Sequence, residues 1–298
     1  MTPPISPETN SRPVLRAIAG TTGYLGLGTA LALVVGALYF VLIPGGASRA
    51  APDATNAMGA EDALVQSGAM LVGFGIATWL IGFKLLRLTR EDLRWFRASP
   101  GLRWFGWGLL IGAAPALLTV GVAMATTDAG LVSDQGSVTD YLRAVGLTGL
   151  VLLPAAASEE LAFRGVPLVA LAQAIGRVPA TICTAILFGL IHAFNPHQTP
   201  LGLLNAAVAG VLLAVAFFTP GGIWTAVGAH LGWNMTLAAF DAPVSGLIFP
   251  IPWLNYRAGH PDWLTGGAFG PEGGVLATGA LAIAIAVATR WTVKESAA

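Results

Sequence analysis

Long apolar stretches recur along this chain, and they limit its fold more than any other feature does. A helix that rises about 1.5 Å per residue needs about 20 apolar residues to cross the roughly 30 Å of hydrocarbon in a bilayer. Eight stretches approach this length, at residues 20–43, 63–86, 104–125, 142–175, 178–194, 201–218, 223–240 and 275–291. The sequence therefore predicts an all-α, polytopic transmembrane helical bundle with about eight spans.

The composition agrees with a chain that has lipid as its solvent. Hydrophobic residues make up 55% of the chain and charged residues 10%, against roughly a quarter charged residues in soluble domains. The formal net charge is zero, which gives no reason to expect a nucleic-acid partner. A single cysteine, Cys183, excludes a disulfide framework. Membrane lipids are thus the first expected partners.

The distribution of basic residues indicates how the chain is oriented. With eight spans, both termini lie on the same side of the membrane. That side holds most of the basic residues: Arg12, Arg16, Lys84, Arg87, Arg90, Arg94, Arg97, Arg103, Arg177 and Lys294. The loops on the other side hold Arg49, Arg143 and Arg257. Because cytoplasmic loops are enriched in Lys and Arg, we expect both termini to be cytoplasmic and the membrane to be a bacterial plasma membrane.

Ionisable side chains inside three of the apolar stretches are the strongest indication of function. Such groups are costly in hydrocarbon and usually mark functional sites. The fourth stretch contains Ser158-Glu159-Glu160-Leu161-Ala162-Phe163-Arg164, the fifth contains Phe188-Gly189-Leu190-Ile191-His192, and the seventh contains His230-Leu231-Gly232-Trp233-Asn234. We take the titratable residues of these three motifs as candidates for catalysis.

Helical spacing divides the two adjacent glutamates between two roles. Glu160 and Arg164 are four residues apart, which favours an ion pair on one helix face. Glu159 points about 100° away around the helix and is left free to act as a general base. His230 and Asn234 are also four residues apart and are expected to point the same way.

The fourth and fifth stretches are expected to form a hairpin with its tip near Gly176. Counted along the two helices, Glu159 and His192 both lie roughly 20–25 Å from that tip. This predicts that the two side chains lie at a similar depth in the membrane. Phe188 shares a helix face with His192, and Gly189 would let a neighbouring helix approach closely.

The three motifs, in this order, resemble those of the CPBP family of intramembrane proteases, also called the CAAX-protease and bacteriocin-processing or Abi family. The resemblance covers roughly residues 145–240 and implies a helical fold and endopeptidase activity near a membrane surface. It also implies the catalytic residues, which are Glu159, His192, His230 and Asn234. We therefore expect three regions: an N-terminal membrane region with three helices (1–140), a catalytic core (141–240), and an extracytoplasmic loop with the last helix (241–298).

These residues suggest peptide hydrolysis by an activated water. Glu159, assisted by His192, would deprotonate the water, while His230 and Asn234 would donate hydrogen bonds to the oxyanion. No serine, cysteine or threonine occupies a matching motif position, so that a covalent nucleophile is not implied. Glu159, His192 and His230 would also be a set of zinc ligands. The chain has no His-Glu-x-x-His motif, and we favour a reaction without a metal, with zinc as the alternative.

Two other classes of function remain open at this point. A small-solute transporter is expected to have internal repeats, whereas the polar groups here lie in the second half of the chain. A membrane scaffold or immunity protein without proteolysis would tolerate substitution of Glu159 and His192. For a protease, the partner would be a peptide or a membrane-associated protein, and both CAAX-type processing and peptide maturation are candidate activities.

Overall fold

The computed structural model describes residues 12–42, 60–95, 98–133 and 135–292. In chain order, its elements are α1 (Arg12–Leu42), α2 (Ala60–Ala77), α3 (Ala98–Thr126), β1 (Gly130–Ser133), α4 (Val138–Glu160), α5 (Val166–Ile175), α6 (Arg177–Ile191), α7 (Pro200–Phe217), α8 (Ile223–Ala239), β2 (Leu254–Arg257), α9 (Asp262–Thr265) and α10 (Val275–Ala288). Arg49, Arg97 and Lys294, which contribute to the predicted orientation, lie outside the described residues.

The predicted helical membrane bundle is confirmed. Each of the eight apolar stretches coincides with a helical segment. Six segments are long and apolar enough to cross a membrane: Pro13–Leu42, Glu61–Leu85, Pro100–Thr126, Val138–Ile175, Arg177–Phe194 and Pro200–Phe217. The segment Val275–Trp291 is apolar but shorter, and α8 corresponds to the seventh predicted stretch. The chain is therefore an integral membrane protein.

The fourth apolar stretch is helical from Val138 to Ile175, but its type of helix changes near the middle. A π-helical turn, Leu161–Gly165, separates α4 from α5. Pro167 is the second residue of α5, after Val166; it has no N–H to donate to the carbonyl of Phe163, and its ring crowds that carbonyl. Pro154, in contrast, lies inside α4. The turn begins directly after Glu160, and π turns of this kind occur frequently at functional sites.

Glycines allow α3 and α8 to pack backbone against backbone. Each helix has two glycines four residues apart in this contact, namely Gly108, Gly112, Gly228 and Gly232. A Cβ added at Gly112 would lie 1.8 Å from the carbonyl oxygen of Ala229, and one at Gly232 would lie 2.3 Å from that of Leu109. Only hydrogen fits at such distances, as in other small-residue contacts between membrane helices. The contact fixes α8 at the turn that carries His230.

The residues between α8 and α10 fold over one end of the bundle, and we call residues 241–274 the cap segment. Within it, β2 pairs antiparallel with β1, and Tyr256 lies opposite Leu131. Phe269 is buried against Gly202 of α7, where an added Cβ would lie 3.0 Å from the Phe269 ring. The cap segment is therefore packed directly on α7.

We expect Gly112→Ala to destabilise the protein, because a methyl group at this position overlaps the Ala229 carbonyl. Overpacking of this kind typically costs about 1–3 kcal/mol. Thermal unfolding in detergent should show a lower midpoint than that of the unsubstituted protein. Gly121→Ala is the matched control, since nothing lies within 4 Å of a Cβ at that position of the same helix. Equal midpoints for the two variants would contradict the close contact.

Candidate active site

Glu160 and Arg164 form the ion pair that their spacing predicts. Arg164 Nη1 donates to Glu160 Oε1 at 3.0 Å, and both side chains are fully buried. Arg164 Nη2 donates to the carbonyl oxygen of Gly210 on α7 at 3.0 Å. The guanidinium carbon also lies 4.4 Å from the ring centroid of Phe188 on α6. The pair therefore joins the π turn to two neighbouring helices.

His230 connects this ion pair to Glu159. Its Nδ1 lies 2.9 Å from Glu160 Oε1, and its Nε2 lies 3.8 Å from Glu159 Oε2. The side chain of Glu159 is 26% exposed, and its Oε2 has no hydrogen-bond partner among the described residues. Counting along the helices predicted that His192 lies at the depth of Glu159; the histidine that the structure places within 4 Å of Glu159 is His230.

His192 lies at the end of α6, where the helix gives way to the 3₁₀ turn His192–Phe194. Its Nδ1 is 2.7 Å from the carbonyl oxygen of Phe188. A carbonyl can only accept, so Nδ1 carries the hydrogen and Nε2 of the neutral ring is an acceptor. The Phe188 ring centroid lies 4.7 Å from that of His192 and 5.8 Å from that of His230. Phe188 and His192 thus share a face, as predicted.

A small cavity brings several predicted residues together. It lies between α6, α7, α8 and the cap segment and has a volume of about 40 Å³. One water needs roughly 10–15 Å³ of such volume, so that the cavity can hold a few waters. Four of the predicted residues line it: Phe188, His192, His230 and Asn234. Glu159 is not among the lining residues, and its connection to the cavity runs through His230.

A tyrosine of the N-terminal region contacts the start of the π turn. The hydroxyl of Tyr24 on α1 donates to the carbonyl oxygen of Leu161 at 2.8 Å and lies 3.1 Å from Thr78 Oγ1. Thr78 in turn donates to the carbonyl oxygen of Phe74 at 2.7 Å. Tyr24 is fully buried. Helices α1 and α2 thus support the backbone immediately after Glu160.

Two further polar residues belong to the site, and analysis of the sequence missed them. Asn205 of α7 and Glu272 of the cap segment both line the cavity. Asn205 was not predicted because an amide does not ionise, and Glu272 was not predicted because it lies in a loop. The one available signal was that Asn205 is the only amide side chain in the sixth apolar stretch.

Glu159, His192 and His230, the ligands of the zinc alternative, do not form a metal-binding group. Within the ranges that the structure describes, no group of three His, Cys, Asp or Glu side chains could hold a metal ion. Both ring nitrogens of His230 face carboxylates, and Nδ1 of His192 is bonded to a backbone carbonyl. Glu159, His192 and His230 do not fit a zinc centre in this arrangement.

Comparison with known proteins gives one match. Residues 142–236 match the family described as Rce1-like, type II CAAX prenyl endopeptidases. Neither the curated proteins nor the solved structures gave a match. The matched segment is about a third of the 298-residue chain, and it contains all three motifs. Over this segment the chain is therefore similar to the Rce1-like family, in agreement with the resemblance to the CPBP family that the motifs show.

Proposed function

We propose that this protein is an intramembrane endopeptidase that hydrolyses a peptide bond near the membrane surface, using a water activated by Glu159. The observation that carries the proposal is the unpartnered Oε2 of Glu159, which lies 3.8 Å from His230 Nε2. His230 in turn lines the cavity together with His192 and Asn234. A carboxylate oxygen without a hydrogen-bond partner, next to a histidine that lines a cavity able to hold water, suits a general base. The match to a family of endopeptidases supports the same activity.

In the first step, Glu159 would accept a proton from the water while the water oxygen attacks the substrate carbonyl carbon. His192 would help to orient this water, because its Nε2 is an acceptor that faces away from the Phe188 carbonyl. The result is a tetrahedral intermediate with a negatively charged oxygen. Glu159 would then give its proton to the leaving nitrogen as the C–N bond breaks, leaving a carboxylic acid and an amine.

The oxyanion would be stabilised by donors on α8. His230 and Asn234 lie one helical turn apart and both line the cavity. The Nδ1–H of His230 donates to Glu160. The Nε2–H of a protonated His230 would donate to the oxyanion, and the side-chain amide of Asn234 would be another donor to it. Removal of one such donor typically costs about 2.7–4 kcal/mol of transition-state stabilisation.

Residues 141–240 would form the catalytic core, with membrane lipids around it and a peptide or membrane-associated protein as substrate. CAAX-type processing is the activity that the family's description suggests, and peptide maturation is the alternative. The orientation with both termini in the cytoplasm of a bacterial cell, proposed from the basic loops, would set the side of the membrane on which cleavage products appear.

The first test is the loss of cleavage when the proposed base or its helper is changed. Glu159→Gln removes the proton acceptor and His192→Ala removes the group that orients the water, so that each should lower cleavage about 10²–10⁴-fold. Cleavage is measured by comparing membrane-proteome peptides from cells that express each variant. Glu91→Gln, which changes an exposed loop carboxylate, is the control. Identical products from wild type and Glu159→Gln would favour a scaffold, an immunity protein or a transporter.

The second test separates the roles of the two adjacent glutamates by stability. Glu160→Gln leaves the fully buried Arg164 without its charged partner, and loss of such a partner costs about 3–5 kcal/mol. Glu159→Gln should change the stability far less, because this side chain is partly exposed and its Oε2 is unpartnered. Thermal unfolding in detergent measures both variants. Similar destabilisation by the two changes would contradict this division of roles.

The third test concerns the metal. We propose that hydrolysis proceeds without one, because His230 is held between Glu159 and Glu160 rather than open to a shared ion. Activity of the purified protein should then be unchanged in a strong chelator. Stoichiometric zinc, lost together with activity on chelation and recovered with it on zinc addition, would overturn this part of the mechanism.

A further inference from the structure

The carboxylate of Glu272, in the cap segment, is bonded on both of its oxygens. Its Oε1 accepts from the indole Nε1–H of Trp233 at 2.7 Å. Its Oε2 accepts from the Ser245 hydroxyl at 2.9 Å and from the Ser245 backbone N–H. All three partners donate to the carboxylate. The side chain at position 272 must therefore accept hydrogen bonds at both of its terminal atoms. Glu272 also lines the cavity, although the mechanism proposed above does not use it.

One side of this carboxylate is tied to the helix that carries the proposed oxyanion donors. Trp233 lies on α8 between His230 and Asn234 in sequence, and its side chain is buried. The bond to Glu272 fixes the indole on the cavity side of α8. Rotation or sliding of this helical turn would break the bond, and therefore the bond limits where the two donors can point.

The other side is tied to the end of α6, which carries His192. The carbonyl oxygen of Ser245 accepts from the Asn195 side-chain amide at 3.0 Å. The Asn195 backbone N–H in turn donates to the carbonyl oxygen of His192 at 3.1 Å. A chain of hydrogen bonds thus runs from Trp233 through Glu272, Ser245 and Asn195 to the turn of His192.

The backbone of Glu272 is itself held in place by α7. The buried Asn205 side chain donates to the carbonyl oxygen of Glu272 at 2.7 Å and to that of Gly274 at 2.9 Å. The remaining polar atom of this amide, Asn205 Oδ1, accepts from the Thr278 hydroxyl at 2.6 Å. The backbone of Glu272 is therefore fixed to α7. Its carboxylate cannot simply shift together with α8 or with the turn of His192.

We propose that Glu272 is a positioning residue that sets the distance between the His192 turn and the turn of α8 that carries His230 and Asn234. This inference rests on the proposed function, because it assigns to Glu272 the alignment of the water-orienting group with the oxyanion donors. Misplacement of reacting groups by about 1 Å can cost on the order of 10²-fold in rate. Glu272 thereby couples the fold of the cap segment to the rate of hydrolysis.

The test compares three substitutions at Glu272 and its partner. Glu272→Gln offers one acceptor and one donor, so that an NH₂ group must face an N–H or O–H donor on one side. We expect kcat to fall on the order of 10-fold or more, with KM nearly unchanged. Glu272→Asp keeps two acceptors on a shorter side chain and should recover part of the loss. Trp233→Phe removes the indole donor, and its effect should not add to that of Glu272→Gln.

A second readout does not depend on activity. Hydrogen exchange of the backbone amides in residues 192–197 and at Ser245 should be faster in Glu272→Gln. The same change should occur in the Glu159→Gln background, in which cleavage is expected to be lost. Asp262→Asn, an exposed carboxylate change within the cap segment, is the matched control and should alter neither readout.

The outcomes separate the two proposals. Wild type that cleaves no substrate would overturn the proposed function. Active wild type with full activity in Glu272→Gln would overturn the positioning role alone. Additive losses of kcat for Glu272→Gln and Trp233→Phe would also overturn the positioning role. A loss of activity in proportion to a smaller fraction of folded protein would overturn it as well. A lower kcat with unchanged KM, partial recovery in Glu272→Asp and faster exchange near His192 would support it.

Discussion

Several helices of this protein are held together around one buried carboxylate oxygen. Oε1 of Glu160 accepts from Arg164 and lies 2.9 Å from His230 Nδ1. A charge buried in a low-dielectric interior is tolerated only when it is paired and hydrogen-bonded, and so the elements that carry these groups are held together. Arg164 extends the contact to the carbonyl of Gly210 and to the face of Phe188. The π turn, α6, α7 and α8 thus converge on this one group.

The backbone around that group is shaped by residues that carry no chemistry. Pro167 lies two residues after the π turn of the fourth span, and Tyr24 of α1 donates to the carbonyl of Leu161 at the start of that turn. Gly112 brings the backbone of α3 against Ala229, next to His230. The N-terminal region therefore supports the site through packing and backbone bonds, although the motifs lie in the second half of the chain.

The sequence predicted what depends on local spacing and missed what depends on tertiary contacts. The i, i+4 spacing of Glu160 and Arg164 is enough to predict their ion pair, which the structure confirms. Depth along two helices does not define how each helix is rotated, and it could not predict that His230 lies 3.8 Å from Glu159 Oε2. Glu272 was missed because its contacts depend on the folding of the cap segment, which has no helical or strand period to read.

The separation of the two glutamates has a consequence for the movement of charge. Glu159 and Glu160 carry two negative charges when ionised, and Arg164 supplies one positive charge beside Glu160. In the proposed reaction, Glu159 would take a proton from water and its charge would reappear on the substrate oxyanion, so that the formal charge of the site would not change. The charge would move from beside His230 Nε2 towards the cavity that His230 and Asn234 line. Donors that are already fixed there need no reorganisation as the charge arrives, which is why rigid placement of α8 matters to the proposed reaction.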